Sequence, residues 1–270
     1  GWKETMEGGT GCISSRKPFF VVGSTTGTET VALGGAIRLQ DGKVYIHGGT
    51  VQKGNGGNIS VNGNLTITGG EIYDGTSGKG YSGGSIYVSK GSCTISGGKI
   101  YNGTAERGGN IYMMNKSDKF NMYDGEIYGG TATARQRNVA VYGGNFNMYG
   151  GDVYASGELT DEYSDCLYAQ NEDAHINIYG GTVNGENGDY TGKYAVYAVY
   201  GNVYVKGGTI KGCEHAVAVT SAKDYTGTAQ IAGGTLLGNV YVAHEDATAT
   251  ISGGTIDGYE YKAGTLKIQA

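Results

Sequence analysis

Apolar and polar residues alternate along this chain in short segments, and glycine separates one segment from the next. A representative segment is Cys93–Ile100 (CTISGGKI), of the form apolar-x-apolar-x-Gly-Gly-x-apolar. A period of two is typical of a β-strand with one buried and one solvated face. Cys93 and Ile95 are therefore predicted to point inward, and Thr94 and Ser96 outward. The Gly-Gly pair marks a bend, because glycine tolerates backbone angles that other residues avoid.

This block occurs nine times, at spacings of 20 to 30 residues. A second alternating segment, such as Gly83–Val88 (GGSIYV), lies between successive blocks. Dipeptides that favour left-handed geometry, Asp74-Gly75, Asn102-Gly103 and Asn184-Gly185, are predicted to form the corner after the third strand. The nine blocks begin at Val44, Leu65, Cys93, Phe120, Phe146, Ile176, Val203, Ala229 and Ala249.

Three unlike strands that recur in a fixed order predict that each strand pairs with its equivalent one turn later. The expected fold is an all-β, right-handed parallel β-helix of about nine coils with three short strands each. We expect an N-terminal cap or irregular first coil over residues 1–33, the repeats over 34–258 and a partial C-terminal coil over 259–270. Two inward ladders of aliphatic residues are predicted, one from Ile46 to Ile251 and one from Val51 to Ile256.

The composition supports a folded domain with a packed core and excludes some classes of partner. The chain has 53 glycines but one proline and 23 tyrosines, which excludes collagen and a disordered glycine-rich linker. The net charge is −5 and no basic block is present, so no nucleic-acid partner is expected. No apolar run is long enough to cross a bilayer, so we expect no membrane insertion of this segment. A monomer is expected.

The four cysteines form no metal-binding motif. Cys12, Cys93, Cys166 and Cys213 lie far apart in the sequence and contain no C-x-x-C pair, which argues against a zinc site. Cys93 occupies a core position of the repeat and is predicted to be a small buried apolar residue. The sequence leaves the disulfide pairing open, including a Cys166–Cys213 bridge.

Three phrases of the repeat resemble those of known proteins. Gly83–Val88 (GGSIYV), Thr94–Ile100 (TISGGKI) and Asn102–Ala105 (NGTA) resemble the β-helix repeats of bacterial cell-surface and adhesin-like proteins, such as those of gut Firmicutes. The resemblance covers roughly residues 34–258. It implies a β-helix in an extracellular, cell-surface or secreted protein. The same fold also occurs in pectate-lyase-like enzymes, so the resemblance alone does not define an activity.

Tyrosines recur at outward positions of consecutive coils. Exposed aromatic rings beside amides suit glycans, and they equally suit a protein partner. The competing interpretation is structural, because stacking between coils stabilises such a rod by about 0.2–1 kcal/mol per pair. First-strand pairs are Tyr87 with Tyr112 and Tyr168 with Tyr197. The third-strand candidates are Tyr73, Tyr101, Tyr128 and Tyr154, and the second-strand candidates are Tyr123, Tyr149 and Tyr179 beside Asn121, Asn147 and Asn177.

A catalytic constellation is not evident in the sequence. The outward acids Glu71, Glu126 and Asp152 lie on one predicted face with Lys99 between them, which favours a solvated charged surface over a glycosidase pair. The histidines are scattered and suggest no triad. We therefore assign no catalytic residue. The alternative is a pectate-lyase-like polysaccharide lyase or a glycoside hydrolase that acts in a groove along the β-helix.

An acidic insertion follows Tyr154. Its carboxylates, Glu158, Asp161, Glu162 and Asp165, could supply the oxygen ligands that Ca²⁺ prefers, although their spacing matches no defined calcium loop. No other cofactor is expected. The sequence thus favours a non-catalytic extracellular stalk or adhesive domain that binds a glycan or a surface protein of host or bacterium.

Overall fold

The computed structural model describes residues 13–15, 20–22, 32–34, 37–39, 43–133, 138–155, 166–187, 190–191, 194–222 and 225–269. Every regular element among these residues is a β-strand. The strands are Ile13–Ser15, Phe20–Val22, Ala32–Gly34, Ile37–Leu39, Lys43–Ile46, Thr50–Gln52, Ile59–Ile67, Glu71–Tyr73, Ile86–Tyr101, Thr104–Ala105, Ile111–Met113, Lys119–Tyr128, Thr131–Ala132, Val139–Val141, Gly144–Met148, Asp152–Tyr154, Leu167–Ala169, Ala174–Ile178, Thr182–Asn184, Glu186–Asn187, Tyr190–Thr191, Tyr194–Val199, Asn202–Val205, Thr209–Thr220 and Thr228–Ile268.

Apart from the short antiparallel pair Glu186–Asn187 with Tyr190–Thr191, the strands pair in parallel with their equivalents one repeat later, as the sequence predicted, so the fold is a parallel β-helix. Equivalent residues of successive coils stand opposite each other in three ladders. In the first-strand ladder the inward residues are Ile37, Ile59, Ile86, Ile111, Val139, Leu167, Val196, Val217 and Val240. In the second they are Val44, Leu65, Cys93, Phe120, Phe146, Ile176, Val203 and Ala229. In the third they are Val51, Ile72, Ile100, Ile127, Val153, Val183, Ile210 and Leu236.

These inward side chains form one continuous apolar core along the axis. Like residues lie on like residues, and Phe120 stacks on Phe146 with ring centroids 5.4 Å apart. Burial of each large aliphatic side chain contributes about 1.5–3 kcal/mol, so the core is the main stabilising contribution to the rod. The predicted inward residue Ile256 is only partly buried, and it packs against the core together with Leu266.

The stack includes residues on both sides of the recognised repeat. Strands Ile13–Ser15, Phe20–Val22 and Ala32–Gly34 pair in register with the strands that begin at Ile37, Lys43 and Thr50. At the other end, strand Thr228–Ile268 continues through several corners. The Gln269 amide donates a hydrogen bond to the Ile251 carbonyl at 2.8 Å, which joins the last described residues to the coil before them.

In a typical Gly-Gly corner, such as Gly97-Gly98, the two glycines are required for different reasons. Gly98 has φ +90°, a conformation that residues with a Cβ rarely adopt. Gly97 is needed for space, because a Cβ there would lie 2.7 Å from the Thr68 carbonyl oxygen of the preceding coil. The second corner position has positive φ in all nine repeat blocks, including the block of Phe120, where Asp124 replaces the first glycine: Gly49, Gly70, Gly98, Gly125, Gly151, Gly181, Gly208, Gly234 and Gly254.

The corner after the third strand agrees with the sequence prediction in part. Asp74 and Asn102 adopt left-handed geometry, with φ of +51° and +53°, as predicted. At Asn184, where the third strand ends, only the expectation of left-handed geometry is wrong, because its φ is not positive. Its side-chain oxygen instead accepts a hydrogen bond from the Glu186 amide at 3.0 Å, at the start of an antiparallel pair with Tyr190–Thr191.

Buried amides hold this corner in several coils. Asn110 is fully buried: its Oδ1 accepts the Gly103 amide at 2.8 Å, and its Nδ2 donates to the Tyr128 carbonyl at 2.7 Å and to Asn138 Oδ1 at 2.9 Å. Asn58 and Asn138 make the equivalent contacts with their own corners. The side chain thus replaces the partners that the backbone loses where the chain turns.

We predict that Gly98→Ala destabilises the rod by about 2–4 kcal/mol, because it combines left-handed strain with a steric clash. A Cβ on Gly98 would lie 2.8 Å from the Gly70 carbonyl oxygen. Gly78→Ala is the matched control, since no atom lies within 4 Å of the added Cβ and the backbone there is not left-handed. Denaturant unfolding followed by circular dichroism compares the two variants; equal midpoints would contradict the prediction.

We predict a second loss of about 1–3 kcal/mol for Asn110→Ala, because the buried Gly103 amide would lose its acceptor and the Tyr128 carbonyl would keep only the hydrogen bond from the Asn102 amide. Asn147→Ala removes an outward, half-buried amide and is expected to cost about 1 kcal/mol or less. Thermal and urea unfolding measure both changes. A cost for Asn110→Ala no larger than that for Asn147→Ala would refute the role assigned to the buried amide.

Candidate functional site: the outer tyrosine columns

Four tyrosines form a continuous stack on the outer side of the third strand, which we call the third-strand column. The parallel register places Tyr73, Tyr101, Tyr128 and Tyr154 at the same position of successive coils. Successive ring centroids are 4.9, 5.0 and 4.8 Å apart, and the ring planes differ by 3°, 1° and 6°. The strand spacing therefore sets the ring spacing directly.

Carboxylates of the same face bind two hydroxyls of this column. Tyr101 donates to Glu71 Oε2 at 3.0 Å, and Tyr154 donates to Glu126 Oε2 at 2.9 Å. Burial, followed by these hydrogen bonds, raises the pKa of both hydroxyls above the usual value for tyrosine, so they remain protonated donors. The four rings are half-buried, so the third-strand column is largely occupied by stacking and hydrogen bonds within the molecule.

The second-strand column is more exposed. Tyr123, Tyr149 and Tyr179 stack with centroids 4.9 and 5.0 Å apart, and their exposed fractions are 52%, 44% and 39%. Tyr204 of the next coil meets Tyr179 edge-on, with centroids 6.1 Å apart and planes at 70°. The ordered stack therefore ends at Tyr179, and the column is the aromatic surface of the middle coils most open to solvent.

The three asparagines beside this column form an amide ladder. Asn147 Nδ2 donates to Asn121 Oδ1 at 2.9 Å, and Asn177 Nδ2 donates to Asn147 Oδ1 at 2.9 Å. Each coil contributes one amide, in the same register as the tyrosines. The asparagine side chains are half-buried, so the ladder forms an ordered polar surface beside the exposed rings.

Stacking decides which parts of the rings a ligand can reach. In an offset stack each ring covers the faces of its neighbours, so the inner rings present their edges and hydroxyls to solvent. Tyr123 differs, because it is the first ring of the column: the repeat of the preceding coil has Ser96 in place of a tyrosine, and Ser96 pairs with Asp124 across a register shift. One face of Tyr123 is consequently uncovered by the column, in agreement with its larger exposed fraction.

The expectation that first-strand tyrosines are exposed is wrong for three of them. Tyr112, Tyr168 and Tyr197 are only 7%, 4% and 9% exposed. Tyr168 and Tyr197 lie in a small apolar cluster outside the main core, together with Ala218. A second layer of side chains covers the outer side of the first strand there, so period-two alternation did not reveal their burial.

Two of the outward acids, Glu126 and Asp152, line a shallow hollow beside the Gly-Gly corners. Its walls include Lys99, Asp124, Glu126 and Asp152. The Lys99 ammonium lies 3.1 Å from Glu126 Oε1. Hydrogen bonds from Lys99 and Tyr154 lower the pKa of Glu126, whereas the general acid of a glycosidase needs a raised pKa. The geometry of Glu126 therefore suits an ion pair on a solvated face.

The structure describes some of the remaining candidate residues, which are the proposed calcium ligands and the cysteines. The calcium-ligand candidates Glu158, Asp161, Glu162 and Asp165 lie outside the described residues, as do Cys12 and the side chain of Cys213. Cys93 is fully buried in the core, as predicted, and burial raises the pKa of its thiol. The buried Cys166 sulfur lies 3.3 Å from the Asn184 carbonyl oxygen.

Sequence reasoning missed two clusters of potential ligands among the described residues: one of chain neighbours, His244, Glu245 and Asp246, and one assembled from distant segments. Glu214, His215 and Glu260 come together although 45 positions separate His215 from Glu260. The sequence did not indicate this cluster, because the segment with Glu214 and His215 and the segment with Glu260 belong to different coils of the repeat. Only the register of the stacked coils places them side by side.

Comparison with protein-family models, curated proteins and solved structures found no match for this chain. The fold and the outer surfaces described above are therefore the basis for any functional inference. Among the described residues, no helix has the length and apolar character needed to cross a membrane.

We predict that Tyr128→Ala destabilises the rod by about 1–2 kcal/mol, because it removes two stacking contacts from the centre of the third-strand column. Tyr81→Ala is the control, because Tyr81 is 68% exposed and lies outside both columns. Chemical unfolding of both variants measures the difference. Equal stability of Tyr128→Ala and the parent protein would show that the stack does not contribute to the fold.

Proposed function

We propose that this chain is a non-catalytic β-helix module of an extracellular, cell-surface or secreted protein. In this proposal the core acts as a stiff stalk, and the second-strand column binds a glycan. The observation that carries the binding part is the exposed, in-register stack of Tyr123, Tyr149 and Tyr179 beside the amide ladder.

The stalk part is supported by the continuity of the core and of the ladders. Each coil gains its stability from the coils on either side, as in other solenoids. One apolar core includes residues from Ile37 to Ile251. A body of this kind resists bending, because bending would separate stacked side chains and lengthen the hydrogen bonds between coils.

The second-strand column is favoured over the third-strand column because its groups are more available. Two hydroxyls of the third-strand column are bound to carboxylates, and its rings are half-buried. The second-strand rings are exposed by 39–52% and are held rigid by their neighbours. Tyrosines fixed in this way lose little conformational entropy when a ligand binds.

At Tyr123 this surface suits a glycan better than a flat protein interface. A sugar ring stacks on the face of an aromatic ring and forms hydrogen bonds with nearby amides and hydroxyls. Tyr123 has a face on which no other ring of the column stacks and is 52% exposed, and Asn121 lies two residues before it on the same strand. Tyr149 and Tyr179 would contribute hydroxyl groups along the further length of the glycan.

We predict that a glycan microarray identifies a ligand for the parent protein and that Tyr123→Ala weakens its binding at least tenfold. Tyr149→Ala should have a smaller effect, because that ring offers mainly its edge. Tyr81→Ala is the matched control for loss of an exposed tyrosine and should bind normally. Titration calorimetry with the best glycan quantifies the three variants.

Two results would reject the adhesive part of the proposal. One is the absence of any glycan ligand on the array. The other is a loss in Tyr81→Ala as large as that in Tyr123→Ala, which would show nonspecific binding. If instead a purified surface protein binds through Tyr149 and Tyr179, the partner class is a protein rather than a glycan. The stalk part does not depend on these results.

A further inference from the structure

A buried histidine near the C-terminal end of the rod lies at the meeting point of three coils. His215 belongs to strand Thr209–Thr220, and its register partners are Tyr194 in the preceding coil and Asn239 in the following one. Glu214 is its chain neighbour. Glu260 lies further along strand Thr228–Ile268, and its carboxylate also reaches His215.

Two aromatic rings hold the imidazole of His215 in place. Its side chain is 3% exposed and stacks between Tyr194, with centroids 5.4 Å apart, and Tyr241, with centroids 4.4 Å apart. The ring planes differ by 16° and 10°, so the imidazole is sandwiched nearly in parallel. Packing therefore fixes the direction in which its Nε2 atom points.

The Nε2 atom faces two carboxylates that are accessible to solvent. It lies 3.4 Å from Glu214 Oε1 and 3.8 Å from Glu260 Oε2. The two carboxylate side chains are 53% and 51% exposed. One ligand atom is thus immobilised, whereas the other two belong to side chains that can adjust around an ion.

From this arrangement we propose that Glu214, His215 and Glu260 bind a divalent transition-metal ion. One imidazole nitrogen and two carboxylate oxygens form a donor set that suits Zn²⁺ and its neighbours in the first transition row. Bond lengths of about 2.0–2.1 Å in a tetrahedral site place the ligand atoms about 3.3–3.4 Å apart. The three potential ligand atoms lie within 4.8 Å of one another, so small side-chain rotations complete the site.

Such an ion would hold the last described coil on the stack. Ile256 and Leu266 of that coil are only partly buried, and Tyr259 and Tyr261 are 59% and 56% exposed. The apolar core therefore contributes less there than in the middle of the rod. A metal bridge from His215 to Glu260 supplies a contact between segments 45 positions apart, which opposes separation of the final strand.

The test is a calorimetric titration of the chelator-treated full chain with Zn²⁺, and with Ca²⁺ in parallel. We predict that Glu260→Gln weakens Zn²⁺ binding at least tenfold. This variant keeps the side-chain shape at an exposed position, so the fold should remain intact, which circular dichroism checks. Glu172→Gln is the control, because it neutralises another exposed carboxylate away from the cluster and should leave the affinity unchanged.

Hydrogen exchange distinguishes a Zn²⁺ ion that bridges two coils from one that binds nonspecifically at the surface. Zn²⁺ should slow amide exchange over residues 257–268 in the parent protein and in Glu172→Gln, but not in Glu260→Gln. The proposal is overturned if Zn²⁺ does not bind, if Glu260→Gln binds it as tightly as the parent, or if exchange over these residues does not change. Binding of Ca²⁺ in preference to Zn²⁺ would overturn the assignment to a transition metal.

Discussion

The parallel, in-register stacking of each coil on the preceding coil is the constraint on which the rest of this structure depends. It requires that the same position be filled by compatible residues every 20 to 30 positions. Inside, the requirement produces ladders of Ile, Val and Leu. At the corners it leaves no space for a Cβ at positions such as Gly97, where the Thr68 carbonyl oxygen of the preceding coil lies too close.

The same constraint organises polar groups. A corner breaks the hydrogen-bond ladder, and a buried asparagine such as Asn110 accepts a hydrogen bond from the Gly103 amide and donates a further one to the Tyr128 carbonyl. Outside, Asn121, Asn147 and Asn177 form an equivalent ladder beside solvent. Amides can repeat in this way because each one both donates and accepts, which a repeated carboxylate cannot do.

Stacking also determines what the tyrosines can do. Rings held about 5 Å apart stabilise one another, and by covering each other's faces they restrict face-on recognition to the end of a column. Structural and binding roles of the columns are therefore compatible. Tyr149 is stacked on both sides, whereas Tyr123 is the first ring of the column and the most exposed of the three. The proposed metal site near Glu260 would act on a different part of the rod, where core packing is weaker.

The sequence by itself determined the fold class, the ladders of the core and the two tyrosine columns, because a strict repeat turns spacing along the chain into position in space. It also placed left-handed corners correctly at Asp74 and Asn102. The burial of Tyr168 and Tyr197 was decided only by the tertiary structure, since a second apolar layer covers an outward face there. The meeting of His215 with Glu214 and Glu260 was likewise invisible in the sequence, because side chains of different coils converge only after the coils are stacked.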